Sequence, residues 1–256
     1  MPKLAITGKG GVGKTTLAAL LAYTYAEEGS KVLAIDADPD ANLASALGVP
    51  REVAEEITPI AKMEELIYER TGARPGEYGG FFSLNPKVDD IPDRFSATHR
   101  GIKLLVLGTI GRGGAGCICP ESALLKNLVR HLIVGRSEVV ILDMEAGLEH
   151  LGRGSSGAVD AFIVVVEPGR RSLQTARAVR RLAADLGIHK VYVVGNKIRK
   201  DQDRAFVLEN LPGDEVLGFV PFSDKAISAD MQGIAIFDAD ERLVAAAREI
   251  QKALPV

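Results

Sequence analysis

Tryptophan is absent from the 256 residues, and only eight phenylalanines and five tyrosines are present. A core with so few rings has to be filled by aliphatic side chains, as in a buried sheet rich in Val, Ile and Leu. The two cysteines, Cys117 and Cys119, are one residue apart, which excludes a disulfide framework. No apolar run approaches the roughly 20 residues of a membrane helix; those present, such as 161–166, have strand length. Neither sign of charge dominates: 31 basic and 34 acidic residues leave a net charge of −3, so nothing global marks a nucleic-acid binder. The sequence opens directly on a strand pattern without a secretory leader, so a cytoplasmic protein with no nucleic-acid or membrane partner is expected.

What is present is a regular alternation of elements. A chain of 256 residues, 46% hydrophobic and 25% charged, has the composition of a soluble globular protein with a sizeable core. Short apolar runs predict strands at 3–7, 31–36, 103–107, 139–143, 161–166, 191–195 and 216–220. Helical spacing predicts helices from 17 onward, through much of 51–72 with a new start at Pro59, from Pro120 through Leu132, and over 172–186, 201–210 and 240–253. Residues 72–101, rich in Gly, Pro and charge, read as an irregular insertion or lid. The repeated β-α-β order predicts an α/β fold: one domain over 1–256, with a doubly wound, mostly parallel sheet flanked by helices.

The first strand runs straight into Gly8-Lys9-Gly10-Gly11-Val12-Gly13-Lys14-Thr15-Thr16, and a helix follows. Gly8, Gly13, Lys14 and Thr15 fill the phosphate-loop pattern GxxxxGK(S/T) in the strand–loop–helix context that the pattern requires. The glycines let backbone N–H groups close on phosphate oxygens, and the helix N-terminus adds positive potential. Gly8, Gly10, Gly11, Val12, Gly13, Lys14, Thr15 and Thr16 are therefore the expected nucleotide cradle. Lys14 would neutralise the β- and γ-phosphates and Thr15 would ligate Mg²⁺. Lys9 is surplus to an ordinary phosphate loop.

GKGGVGKTT resembles the deviant Walker A loop of the MinD/ParA/nitrogenase-iron-protein group of ATPases. The resemblance implies a P-loop ATPase in which Lys9 reaches across a homodimer to the partner's nucleotide. Asp143 ends an apolar strand as a Walker B aspartate does, and would hold Mg²⁺ through water. Asp143-Met144-Glu145-Ala146-Gly147 resembles switch II of the group, and Asp38, in Asp36-Ala37-Asp38-Pro39, resembles the switch I aspartate that orients the attacking water. Asp36, nearer its strand, would support the Mg²⁺ shell. Three acids at one sheet edge repel one another without a cation, a physical reason to expect Mg²⁺.

Asn196-Lys197 closes the strand at 191–195, and in families of this kind the asparagine reads a purine edge. A guanine reader of NKxD type would need aspartate at 199, where Arg199 stands, which favours adenine and hence ATP/ADP. Pro221-Phe222 resembles the second base-contacting segment.

Cys117 and Cys119 lie on a glycine-rich loop just before a helix, a setting that favours thiolate. Two thiolates so close hold one face of an ion and cannot complete a tetrahedral site; a two-fold partner would supply the other half. A redox-active pair and inert loop cysteines remain open alternatives. The run 113–119, Asp143 to Leu151, Leu84 to Asp89 and Glu167-Pro168 resemble the CO dehydrogenase nickel-maturation ATPases, the CooC family. That resemblance implies an ATP-dependent metallochaperone: a homodimer sharing Ni²⁺ or Zn²⁺ on Cys117 and Cys119, whose client is CO dehydrogenase or acetyl-CoA synthase. A MinD/ParA-like positioning or partition ATPase is the alternative, and a third is an iron-protein-like reductase, for which the close cysteine pair is poorly spaced. His150, after switch II, reads as a backbone-bonded loop histidine, and the arginines between 170 and 181 as a solvated basic helix face or a docking site for an acidic client.

Overall fold

The computed structural model describes residues 1–76, 81–108, 119–145, 159–185, 187–211, 213 and 215–255. In chain order the elements are β1 (Lys3–Gly8), α1 (Lys14–Glu27), β2 (Val32–Ala37), α2 (Leu43–Ala46), α3 (Arg51–Glu56), a 3₁₀ turn (Ile60–Lys62), α4 (Glu64–Thr71), α5 (Ile91–Phe95), β3 (Ala97–His99), β4 (Ile102–Val106), α6 (Pro120–Val134) and β5 (Val139–Met144). Then come β6 (Ala161–Val166), α7 (Arg170–Asp185), β7 (Val191–Ile198), α8 (Asp201–Asn210), β8 (Glu215–Pro221), α9 (Asp224–Gln232), α10 (Ile236–Ala239) and α11 (Glu241–Ala253).

Among the described residues these strands form one eight-stranded sheet in the order β3-β4-β2-β5-β1-β6-β7-β8. Short β3 runs antiparallel at one edge, and the other pairings are parallel. The central strands β1, β2, β5 and β6 are buried at every position because helices cover both faces. Leu4 and Ile6, Val32 and Ala34, and Ala161 and Ile163 join one core. Their alternates Ala5, Leu33, Ile35, Phe162 and Val164 join the other, against α4, α6, α7 and α8. The first core is roofed by α1, whose residues Leu17 to Ala22 are all buried. Such a helix needs cover on its outer side too, and α11 supplies it with Leu243, Val244, Ala247 and Ile250 on one face.

The single α/β domain with a mostly parallel, doubly wound sheet is as expected; several local readings are corrected. β7 continues past the expected end at 195 to Ile198, so Asn196 and Lys197 both lie within the strand. Its register against β8 is irregular between Gly195 and Ile198. The 51–72 region is α3, the 3₁₀ turn and α4, and Pro59 stands immediately before the turn, at the expected new start. Residues 72–101, read as irregular, carry α5 and β3. A three-residue strand of Ala, Thr and His has no propensity signal; its place beside β4 makes it a strand. Helix α9 is also additional, begun by Ser223, whose Oγ accepts from Ala226 N at 3.2 Å.

Phe162 is the largest side chain in the fully buried set, at 0% exposure. Phe162→Ala is expected to lower the unfolding free energy by about 3–5 kcal/mol, read as a lower urea midpoint with unchanged slope.

Candidate functional site

Parallel pairing brings the carboxyl ends of the strands to one edge, where ligands bind in open α/β sheets. β1 ends at Gly8, and the phosphate loop leads from it into α1, which starts at Lys14. Gly8 has φ 151°, and a Cβ there would stand 2.5 Å from the Val165 carbonyl oxygen of neighbouring β6. Gly13 has φ 95°, and its Cβ would stand 2.1 Å from Nδ2 of Asn196. Both positions require glycine because the loop is pressed against the sheet.

A cleft of about 840 Å³ opens on this edge, lined by Gly8, Gly10, Gly11, Gly13, Lys14, Thr15 and Thr16, by Asp38 and Glu145, and by Asn196, Lys197, Pro221 and Phe222. The chain thus brings nearly all of its expected nucleotide residues together. Val12 is buried beneath the loop, and Lys9, half-buried on the same loop, is not among the lining residues. Sequence reading missed the far end of the cleft, where Ala226, Ile227, Ile236 and Leu243 present apolar surface. Leu243 belongs to the core-spaced face of the terminal helix and the other three stand in no motif, so no local signal set them apart.

The acids divide in two. Asp38 meets Lys14, with Nζ to Oδ2 at 3.3 Å. Asp36 and Asp143 are register partners on adjacent β2 and β5. Alternation sends both toward the face roofed by α1, where Lys14 and Thr15 begin the helix. Asp36 accepts from the backbone N–H of Leu43 at 2.9 Å and of Asp38 at 3.2 Å. Burial still pushes its pKa up to about 6. Asp143 has 0% exposure, and neither of its carboxylate oxygens has a hydrogen-bond partner among the described residues. Burial pushes its pKa up to about 7; the nearby Thr15 hydroxyl pulls the other way and the Asp36 charge adds to the rise. A buried carboxylate with both oxygens unpaired, beside a second carboxylate and a threonine hydroxyl, is a donor set suited to a hard divalent cation such as Mg²⁺.

On the other side of the loop, Asn196 Nδ2 donates to the Val12 carbonyl at 2.8 Å, and its Oδ1 accepts from Lys197 N at 2.8 Å. One N–H and one lone pair of the amide remain, enough for a base edge. Lys197 holds φ 58° and donates from Nζ to the Gly11 carbonyl at 2.6 Å, with Glu167 at 3.5 Å. Turning loop N–H groups toward a phosphate turns carbonyls outward, and these two side chains satisfy two of those carbonyls. Arg199 lies over the Phe222 ring at 3.5 Å from its centroid.

Thr7, fully buried near the end of β1, donates from Oγ1 to the Glu145 carbonyl at 2.6 Å and ties the start of the expected switch II to the phosphate-loop strand. A hydroxyl inside an apolar strand was the available signal, and sequence reading passed over it. Ala146–Leu151 with His150, and Gly111–Ile118 with Cys117, lie outside the described residues. Cys119 is half-buried at the N-cap of α6, reached from the carboxyl end of β4. Among the described residues no group of three His, Cys, Asp or Glu could hold a metal ion, and no helix is long and apolar enough to cross a membrane.

Fold and site define a P-loop ATPase of the type in which the nucleotide lies on the carboxyl edge of a parallel sheet. More particularly, the chain belongs to the CobQ/CobB/MinD/ParA nucleotide-binding family, whose model matches residues 3–236. It is 50% identical over 236 residues to the carbon monoxide dehydrogenase accessory protein CooC of Rhodospirillum rubrum, covering 92% of this chain and 89% of that one. It is 48% identical over 252 residues to an ATP-binding protein of Methanocaldococcus jannaschii, covering 98% and 95%. Among solved structures, the ParA family ATPase of Chlorobium tepidum superposes with TM-score 0.69 at 16% identity, over 100% of both chains. A chain of the MinC:MinD cell division protein complex of Aquifex aeolicus superposes with TM-score 0.66 at 21% identity, over 98% of this chain and 96% of that one. At these identities the two structures show the fold alone.

Two outcomes are expected. An aspartate whose folded pKa is raised from 3.8 to about 7 opposes folding once ionised, so it costs metal-free protein stability as pH rises from about 4 through 7. Asp143→Asn should therefore raise the melting temperature of metal-free protein at pH 8, corresponding to about 4 kcal/mol in stability, and have little effect at pH 4. Loss of the Lys197 contact to Gly11 should loosen the phosphate loop: Lys197→Met is expected to weaken ATP binding about tenfold, with Lys197→Arg recovering part of it, measured by titration calorimetry.

Proposed function

We propose that this chain is an ATP-dependent maturation factor that couples nucleotide-driven dimerisation and ATP hydrolysis to nickel insertion into CO dehydrogenase, with acetyl-CoA synthase as the other client class. The observation that carries the reading is the 50% identity to CooC along 92% of the chain. The placement of Cys119 supports it: the cysteine loop and the nucleotide cleft both arise at carboxyl ends of strands of the same sheet.

In this reading the Gly8–Thr16 loop holds the phosphates of ATP. Lys14 exchanges Asp38 for phosphate oxygens, and Asp38 is released to orient the attacking water. Thr15 and Asp143, with Asp36 behind them, hold Mg²⁺ partly through water. Held there, Mg²⁺ would supply positive charge to the β- and γ-phosphate oxygens. Asn196 reads adenine with its remaining donor and acceptor, and Pro221 and Phe222 flank the base. Lys9 reaches the nucleotide of a partner copy, so ATP binds two chains better than one and favours the dimer. Closure brings Cys117 and Cys119 of both copies around one Ni²⁺ or Zn²⁺ as cargo. Loss of the γ-phosphate contacts relaxes both switches and opens the cargo site. In this reading the protein works in the cytoplasm.

Size-exclusion chromatography with metal analysis tests this. Mg-ATP with added nickel should convert the protein to a dimer carrying about one metal. Cys117→Ser and Cys119→Ser should each keep ATP hydrolysis and lose the metal, and Lys9→Ala should lose ATP-dependent dimerisation. Stoichiometric metal in both serine variants would overturn the cargo site. Hydrolysis stimulated by DNA or lipid, without metal, would favour a partition or positioning ATPase instead.

A further inference from the structure

Helix α7 concentrates charge in a way that its own stability does not explain. Its 16 residues carry five arginines, no lysine, and a single acid at the last position, Asp185, in a chain of net charge −3. No acid stands in its first turn, while Arg170 and Arg171 do, where positive charge opposes the helix dipole. Arg177 and Arg181, four residues apart, repel across one turn. Lysine would serve solubility equally well. Arginine differs in its planar fork, which binds carboxylates in pairs of hydrogen bonds, and in its enrichment at protein interfaces.

The arginines are held at fixed spacing. The stripe Ser172, Leu173, Ala176, Val179 and Ala183 is buried and packs the helix onto the sheet beside β6. Arg177 donates to the Asn210 carbonyl at 2.7 Å and Arg180 to the Gly213 carbonyl at 3.4 Å, tying α7 to the last residue of α8 and to the segment after it. Arg170, Arg171 and Arg181 are exposed, and none of the three forms an ion pair among the described residues. Leu182, 46% exposed, adds an apolar contact next to Arg181. A helix of this length presents a stripe of about 24 Å, enough to cross a protein interface of ordinary size.

We infer that the outer face of α7 is the docking surface for a protein partner bearing an acidic patch, and, resting on the function proposed above, that this partner is the CO dehydrogenase client. The helix starts three residues after Glu167, whose backbone N–H donates to Ser172 Oγ at 3.1 Å. The Glu167 carboxylate pairs with Lys197, which in turn holds the Gly11 carbonyl of the phosphate loop. A client seated on α7 is one ion pair from the nucleotide loop.

The test uses immobilised nickel-free CO dehydrogenase and the full chain with Mg-ATP, with binding measured between about 50 and 300 mM NaCl. Wild-type affinity should fall as salt rises. The triple variant R170E/R171E/R181E should bind at least about tenfold more weakly at low salt, show a flatter salt dependence, and hydrolyse ATP at the wild-type rate without client. Equal affinity of variant and wild type would overturn the docking assignment while leaving the maturation reading in place. No binding by wild type would overturn the maturation reading and the partner with it. Binding of a double-stranded DNA oligonucleotide as tight as that of the client, lost in the same variant, would also overturn it.

Discussion

Two carboxylates side by side in a desolvated sheet edge are the constraint around which this molecule is arranged. Parallel pairing of β2 with β5 makes Asp36 and Asp143 direct neighbours, and α1 seals the face toward which both point. The protein satisfies Asp36 with backbone N–H groups and leaves both oxygens of Asp143 unpaired among the described residues. Burial then raises both pKa values. The native state carries an electrostatic cost here that a divalent cation with a polyphosphate would offset, so ligand binding and stability are linked through the same atoms.

The opposite edge of the sheet shows what the same fold does with charges that it simply stabilises. Lys3 Nζ donates to the Arg136 carbonyl at 2.8 Å, Arg136 grips Asp93 and Glu138, and Lys103 joins both acids. There the Arg136 guanidinium and the Lys103 ammonium hold the Asp93 carboxyl far below the usual carboxylate range. Paired acids at the amino edge and unpaired ones at the carboxyl edge distinguish structure from function more sharply than charge counts do.

The phosphate loop depends on a second solution to the same problem. A loop whose N–H groups face an anion has carbonyls facing away, and each needs a donor. Asn196 and Lys197 provide donors from β7, in a strand far away in sequence. This gives the base end of the cleft a physical connection to the phosphate end, and Glu167 extends the connection toward α7.

The layer order, the parallel sheet and the phosphate loop were legible in the sequence, because hydrophobic periodicity and the glycine spacing are local. The grouping of Lys14, Thr15, Asp38, Asn196 and Phe222 around one cleft followed from strand-end positions once the sheet was taken as parallel. What lay beyond reach was set by neighbours: β3 exists because β4 offers an edge, β7 runs past Gly195 because β8 pairs with it again at Ile198, and Thr7 matters because Glu145 lies beside it. The sequence by itself determined which residues could bind phosphate, metal and base, since that chemistry resides in side-chain type and short-range spacing. Only the tertiary structure decided that Asp143 is buried and unpaired among the described residues and that Lys197 braces the loop, because burial and hydrogen-bond partners belong to the packed whole.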